Sequence, residues 1–332
     1  MATYKAIKGI TVQDLASDPS TLIQGEVWYN STSETLKAVQ LTGSWAAGGT
    51  MINARGSMAS GGGAVDAMWL GGGIPFSAFH YYNGTGWTAQ TNLPAGGPGL
   101  SNNLYVQTGI GIQDALFVGH GLKDFPKGAS PDIMLFNGSS WASSPAGPDH
   151  YNGSGWGTTA AAMMAGGNTW PNTYPTALSY TWNGSAWASD STLPVARQGN
   201  RSAGVVETAG FIVGGNPGSL DNTTEWNGTS WSESGVYPTQ IYTPGCGGPI
   251  SAAIAVGGSD GSNTAVANQY DGSTWSSMNA SLPQAQNGQG ASAANPNALT
   301  SFGVFGGSGP GGTLDTTLEM SMANAANTIT TS

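Results

Sequence analysis

Cysteine is nearly absent from this chain. Cys246 stands alone, so no intrachain disulfide or multi-cysteine metal site can form, and stability must come from packing and hydrogen bonds. Charge is almost as scarce: Asp, Glu, Lys and Arg make up 8% of 332 residues, too little for a charge-rich disordered tail or a helical bundle. Basic residues are the rarer sign, 8 against 18 acids for a formal net charge of −10. A nucleic-acid binder needs a basic stripe to displace counterions from phosphates, and none is present. No apolar run reaches the 18 residues of a membrane helix, so no membrane insertion is expected. The opening from Met1 to Lys8 lacks the apolar stretch of a secretory signal, and synthesis as a soluble chain in the cytosol is expected. Histidine is limited to His80, His120 and His150, scattered singly, and no metal or cofactor site is expected from them.

The abundant residues are glycine, with 53, and tryptophan, with 12. They are periodic. One anchor is an aromatic, Asn-Gly or Asp-Gly, Ser or Thr, any residue, and Trp: Tyr82 to Trp87, Phe136 to Trp141, Trp182 to Trp187, Trp226 to Trp231 and Tyr270 to Trp275. The other is a short apolar run ending in glycine, as in Phe211-Ile212-Val213-Gly214-Gly215. Its first glycines are Gly71, Gly119, Gly166, Gly214, Gly257 and Gly306, at steps of 48, 47, 48, 43 and 49 residues. In most units a second glycine follows: Gly72, Gly167, Gly215, Gly258 and Gly307.

Asn-Gly predicts a two-residue type I′ hairpin turn with the aromatic and the Trp on facing strands. The apolar run is too short for a helix and predicts a buried strand. Four strands per unit at this period, with a glycine pair, are the signature of a kelch-type propeller. Six glycine anchors against five complete hairpins leave one Trp strand missing, and Leu41 to Trp45 supplies it. The expected fold is therefore all-β, a six-bladed kelch-type propeller whose composite last blade is closed by the N-terminal segment. Its expected divisions are an arm at 1–24, a hairpin and ring-closing strand at 25–45, the propeller at 46–321 and a tail at 322–332.

The hairpin segment Gly25 to Lys37, together with Gly43 to Gly49 and Asn53-Ala54-Arg55, resembles the opening of kelch-like structural proteins of marine bacteriophages, which serve as tail fibres or other virion components. That family repeats a short Ala-Arg element at each blade entry. Here it stands at Ala54-Arg55 and Ala196-Arg197, becomes Ala285-Gln286, and is absent elsewhere. The resemblance implies a virion protein, made in the host cytoplasm, that is a tail fibre or receptor-binding component. Residues 1–24 would join other virion proteins, and a host surface glycan or protein would be bound. A capsid decoration or head fibre, an intracellular kelch interaction module, and homo-oligomer formation are further readings.

Enzymatic readings find little support. Asp271-Gly272-Ser273-Thr274-Trp275 lacks the residue that a sialidase Asp box places between its Asp and Gly, and Arg55, Arg197 and Arg201 are the only arginines. A carbohydrate-active enzyme on this scaffold, sialidase-like or a depolymerase, remains an alternative, since a propeller can bring distant carboxylates together. The Asn-X-Ser/Thr sequons at Asn83, Asn137, Asn183 and Asn227 are accounted for by the turn. In a four-stranded meander the Asn-Gly turns occupy one face, and the long, irregular connections occupy the other. Recognition is expected on the irregular face, through Lys123, Phe125, Lys127, Trp170, Tyr174, Tyr237 and Tyr242.

Overall fold

The computed structural model describes residues 12–329 other than 24, 73–76, 95–104, 124–127, 146, 148–149, 170–173, 219, 293–294 and 297–300. The chain divides into two units, residues 45–320 and a smaller one formed by residues 1–44 with 321–332. Among the described residues the larger unit is all-β apart from a 3-10 turn at Val65–Ala67, and no helix is long and apolar enough to cross a membrane.

Five four-stranded sheets follow one another in the larger unit, each an antiparallel meander in chain order. Blade 1 holds Ala59–Gly62, Met68–Gly71, Phe79–Tyr82 and Trp87–Ala89. Blade 2 holds Tyr105–Ile112, Ala115–Lys123, Gly128–Phe136 and Trp141–Ser143. Blade 3 holds Ser154–Gly157, Ala162–Ala165, Ser179–Trp182 and Trp187–Ser189. Blade 4 holds Arg201–Val206, Ala209–Val213, Thr223–Trp226 and Trp231–Glu233, and blade 5 holds Gly245–Gly247, Ala253–Val256, Ala267–Tyr270 and Trp275–Ser277. A composite sheet follows, made of Gly290–Ala291, Ser301–Phe305, the start of Thr317–Thr328 and the end of Thr35–Ala47. This arrangement is consistent with a six-bladed propeller. The innermost strands touch in cyclic order, from 59–62 through 105–112, 154–157, 201–206, 245–247 and 290–291 back to 59–62. Across the seam, Ala291 N donates to Ser60 Oγ at 3.2 Å.

The hairpin aromatics face each other as expected, in the pairs Tyr82 with Trp87, Phe136 with Trp141, Trp182 with Trp187, Trp226 with Trp231 and Tyr270 with Trp275. The turn between them differs from the type I′ expectation. It is a four-residue loop, in which only the glycine takes positive φ, +86° at Gly84 and +95° at Gly272. The asparagine works through its side chain: Asn83 Oδ1 accepts from Thr85 N at 3.1 Å and Gly86 N at 3.0 Å, and Asn227 does the same for Thr229 and Ser230. This explains why Asp271 substitutes for Asn in the fifth repeat, since either side chain offers the acceptor.

The repeated tryptophans join neighbouring sheets. Trp275 Nε1 donates to Thr223 Oγ1 of blade 4 at 2.7 Å, and Trp231 Nε1 donates to Ser179 Oγ of blade 3 at 3.2 Å. At the seam, Trp87 Nε1 donates to Thr317 Oγ1 of the composite sheet at 2.7 Å. Trp45 Nε1 reaches Ala280 O beyond blade 5 at 3.0 Å, as Trp141 Nε1 reaches Thr91 O beyond blade 1 at 2.8 Å, so Trp45 is the Trp of the composite sheet. Large rings from the second strands fill space that inner-strand glycines leave open. A Cβ on Gly109 would sit 2.5 Å from Trp69 Cη2 and 2.7 Å from Ser60 O, an overlap that no rotamer change relieves.

In the smaller unit, Val27–Asn30 pairs antiparallel with the start of Thr35–Ala47, as the sequence predicts. Part of the expected arm is ordered within this unit. Gln13–Leu15 forms a strand parallel to Val27–Asn30, and Asp18 accepts from Asn30 Nδ2 at 2.8 Å and Trp28 Nε1 at 3.2 Å. Residues 1–11 lie outside the described residues. The expected C-terminal tail is also corrected: Thr317–Thr328 is one strand, and Ile329 N donates to Leu36 O at 2.8 Å.

Candidate recognition face and channel mouth

Chain order within each meander puts the turns between third and fourth strands on one face. The connections from second to third strand, and from each blade to the next, lie on the other. The first face presents near-identical Asn-Gly or Asp-Gly loops. The second is the face on which the recognition residues are expected, and the structure separates those that it describes. Tyr174 is 77% exposed, free for contact. Tyr242 is half-buried: its ring lies against Gly199, and its Oη accepts from Asn152 Nδ2 at 3.4 Å. Tyr237 is corrected, being only 1% exposed. Its ring packs edge-on to Trp275 at 4.9 Å, its Oη donates to Ala255 O at 3.5 Å, and it belongs to the core between blades 4 and 5. Lys123 pairs with Gly128 through its backbone, and its side chain lies outside the described residues, as do Phe125, Lys127 and Trp170 altogether.

The Ala-Arg element turns out to be architectural. Arg55 Nη1 donates to Gly72 O at 3.0 Å, and Arg197 Nη1 donates to Gly214 O at 3.4 Å and Asn222 O at 3.1 Å, so each guanidinium satisfies carbonyls where its blade's second strand ends. Glu233 lies 3.9 Å from Arg197 Nη2, whereas Arg55 Nη2 donates to Asn53 Oδ1 at 3.4 Å and burial lowers the Arg55 pKa to about 10. Gln286, at the same place in the composite sheet, leaves both amide heavy atoms buried without a partner. The glycine pairs continue the same design, with positive φ at Gly72, Gly167, Gly215, Gly258 and Gly307. His80 is buried, and desolvation with the Arg55 charge holds it near 4, neutral at physiological pH.

Two features of this face carry no sequence signal. The first is a left-handed residue just ahead of the inner strands of blades 1, 3, 4 and 5 and of the composite sheet: Ser57 (φ +52°), Asn152 (+60°), Gly199 (+63°), Thr243 (+49°) and Gly288 (+62°). Three are not glycine, and Thr243 is β-branched, a conformation sustained only by its surroundings. Those surroundings are a run of backbone bonds from blade to blade: Gly199 N to Asn152 O at 2.8 Å, Thr243 N to Gly199 O at 2.9 Å, and Gly288 N to Thr243 O at 3.0 Å.

The second feature is Arg201. Strand register aligns it with Ala59, Thr108, Ser154, Gly245 and Gly290 at the first turn of the channel, five small residues and one cation. These strands enclose a cavity of about 40 Å³ lined by Ser60, Gly109, Ser154, Arg201, Cys246 and Ala291 among others, one or more from every sheet. Arg201 Nη1 donates to Asn200 O at 3.0 Å, and no carboxylate pairs with it among the described residues. Cys246 is buried, and its thiol is pushed up to about 12 by desolvation, with the Arg201 charge pulling the other way.

No family model matches the chain, and no curated protein matches it. Among solved structures, YjhT, a kelch-repeat propeller protein, is similar at a TM-score of 0.64 and 14% identity, over 83% of this chain and 99% of that one. The chain has a β-propeller fold. At this identity the likeness shows the fold alone. Within the propeller, blade entries and channel belong to the irregular face, so that face holds both the variable loops and the mouth of the axis.

Proposed function

We propose that this propeller is a structural and binding component of a bacteriophage particle, a tail fibre or receptor-binding protein that recognises its partner with the irregular loop face. The observation that carries the reading is the contrast between the two faces. One repeats a single turn around the ring, with Asn83, Asn137, Asn183, Asn227 and Asp271 accepting the same backbone donors. The other varies from blade to blade and exposes Tyr174. Discrimination between partners needs such variety, and exposed aromatics contribute large contact area at small entropic cost. The phage assignment is supported by the resemblance of residues 25–55, and the smaller unit that contains most of that segment is the proposed attachment to the particle. The partner class is a surface glycan or protein of the host.

The buried thiol of Cys246 makes a clean test possible, because an introduced cysteine is then the reactive one. Tyr174→Cys on the loop face and Ser185→Cys on the turn face are each coupled to a maleimide polymer. Adsorption to host cells should be blocked by the first conjugate and spared by the second. Equal adsorption by both conjugates would refute the assignment of the face.

A further inference from the structure

We propose that the mouth of the central channel is a binding site for a carboxylate, held by Arg201. This inference stands on the channel itself and is independent of the particle reading above.

A guanidinium taken out of water is costly unless its charge is compensated and its donors are used. The other two arginines spend donors on protein acceptors, Arg55 on Gly72 O and Asn53 Oδ1, and Arg197 on Gly214 O, Asn222 O and Thr224 Oγ1. Arg55 and Arg197 are almost fully buried, and each points into the end of its own blade. Arg201 is arranged differently. Protein encloses it, yet it keeps accessible surface, because that surface is part of the channel wall. Of its five N–H donors, one is assigned to Asn200 O among the described residues, and the side chain lines the cavity. Burial pushes its pKa below the ordinary arginine range, while Tyr242 and Cys246 act in the opposite sense.

The neighbouring hydroxyls do not supply the missing acceptor. Ser154 Oγ accepts from Asn200 Nδ2 at 2.7 Å, Ser202 Oγ donates to Gly155 O at 3.0 Å, and Ser60 Oγ accepts from Ala291 N. The five other positions at Arg201's level carry Ala, Thr, Ser, Gly and Gly, which leaves room in front of the guanidinium where larger side chains would close the axis. The space of about 40 Å³ is several times the minimum for one water and admits a formate-sized or acetate-sized head group. A planar fork of donors selects a planar, two-oxygen acceptor over a spherical ion, which is why the ligand is assigned as a carboxylate. A larger acid would insert only its carboxylate, with its remainder at the loop face beside Tyr242.

The test titrates the purified full chain with ¹³C-acetate at constant ionic strength and follows line broadening and chemical shift, with sodium chloride as competitor. Three proteins are compared: wild type, Arg201→Met and Arg201→Lys, each checked by far-UV circular dichroism. Wild type should bind acetate saturably, and chloride should compete at least tenfold less well than unlabelled formate. Arg201→Met should abolish saturable binding, and Arg201→Lys, which keeps the charge but loses the fork, should weaken it about tenfold. No saturable binding by wild type, equal competition by chloride, or unchanged binding in Arg201→Met would each overturn the proposal. If neither variant folds, the wild-type preference for formate over chloride still decides it.

Discussion

Closure of the ring is carried by a bond that the sequence repeats and the structure places, and its strength can be measured. Trp87 is 8% exposed, and its Nε1 donates to Thr317 Oγ1 at 2.7 Å across the seam between blade 1 and the composite sheet. Trp275 and Thr223 make the same bond at the same length between blades 5 and 4, where chain continuity guarantees the neighbours. Trp87→Phe removes the donor and leaves a buried hydroxyl, a loss of about 1 to 2 kcal/mol, and the smaller ring adds roughly 1 more. Thr317→Val removes the acceptor and leaves the indole N–H unpaired, at a cost of about 1 to 3 kcal/mol. The double mutant carries no unpaired group, so the two costs should fall short of additive by about 1 kcal/mol. Urea denaturation followed by far-UV circular dichroism supplies the four free energies, and the same cycle on Trp275 and Thr223 supplies the reference. A coupling near zero at the seam, beside about 1 kcal/mol at the reference pair, would refute closure through Thr317.

Three further outcomes are expected. His80 titrates near 4 when folded and near 6.5 when unfolded, so stability is complete above the unfolded value. It should fall by on the order of 2 to 3 kcal/mol as pH drops from 6.5 toward 4, a slope that His80→Gln should flatten in urea denaturation at stepped pH. Asp271 is held at about 2 by the N–H groups of Thr274 and Ser273, so its contribution is present above the ordinary carboxylate value and is lost as pH falls through about 2. Asp271→Asn, which copies the other four turns, should remove that part of the acid limb in a circular-dichroism titration and leave behaviour at pH 7 unchanged. Tyr174→Ala should weaken host binding by about 1 to 4 kcal/mol with little change in melting temperature. Tyr237→Ala should instead cost about 3 to 5 kcal/mol of stability, because that ring is core.

What the sequence reveals and what it hides divide along a physical line. The hairpin aromatics, the glycine pairs and the missing sixth Trp are local and periodic, and they led to the observed strand pairings and to Trp45. The turn type is not legible from Asn-Gly, because the pair serves a four-residue loop through the Asn side chain as readily as a two-residue loop through its backbone. Tyr237 and Tyr174 are alike as letters in irregular connections, yet one packs against Trp275 in the core and the other is exposed, a difference set by tertiary packing that no local pattern encodes. The hydroxyls of Thr223, Ser179 and Thr317, each the first residue of its strand, are a visible signal for the Trp contacts. Arg201 had none, since the small residues that define its surroundings come from six separate stretches of chain and meet only at the axis.

The proposal that this propeller belongs to a virus particle is tested most directly by mass spectrometry of gradient-purified particles recovered from cultures that produce the chain. The account predicts peptides spanning both units, in fixed ratio to the known structural proteins and retained after high-salt washing. Infected-cell lysates rich in the chain, with purified particles devoid of it, would contradict the account.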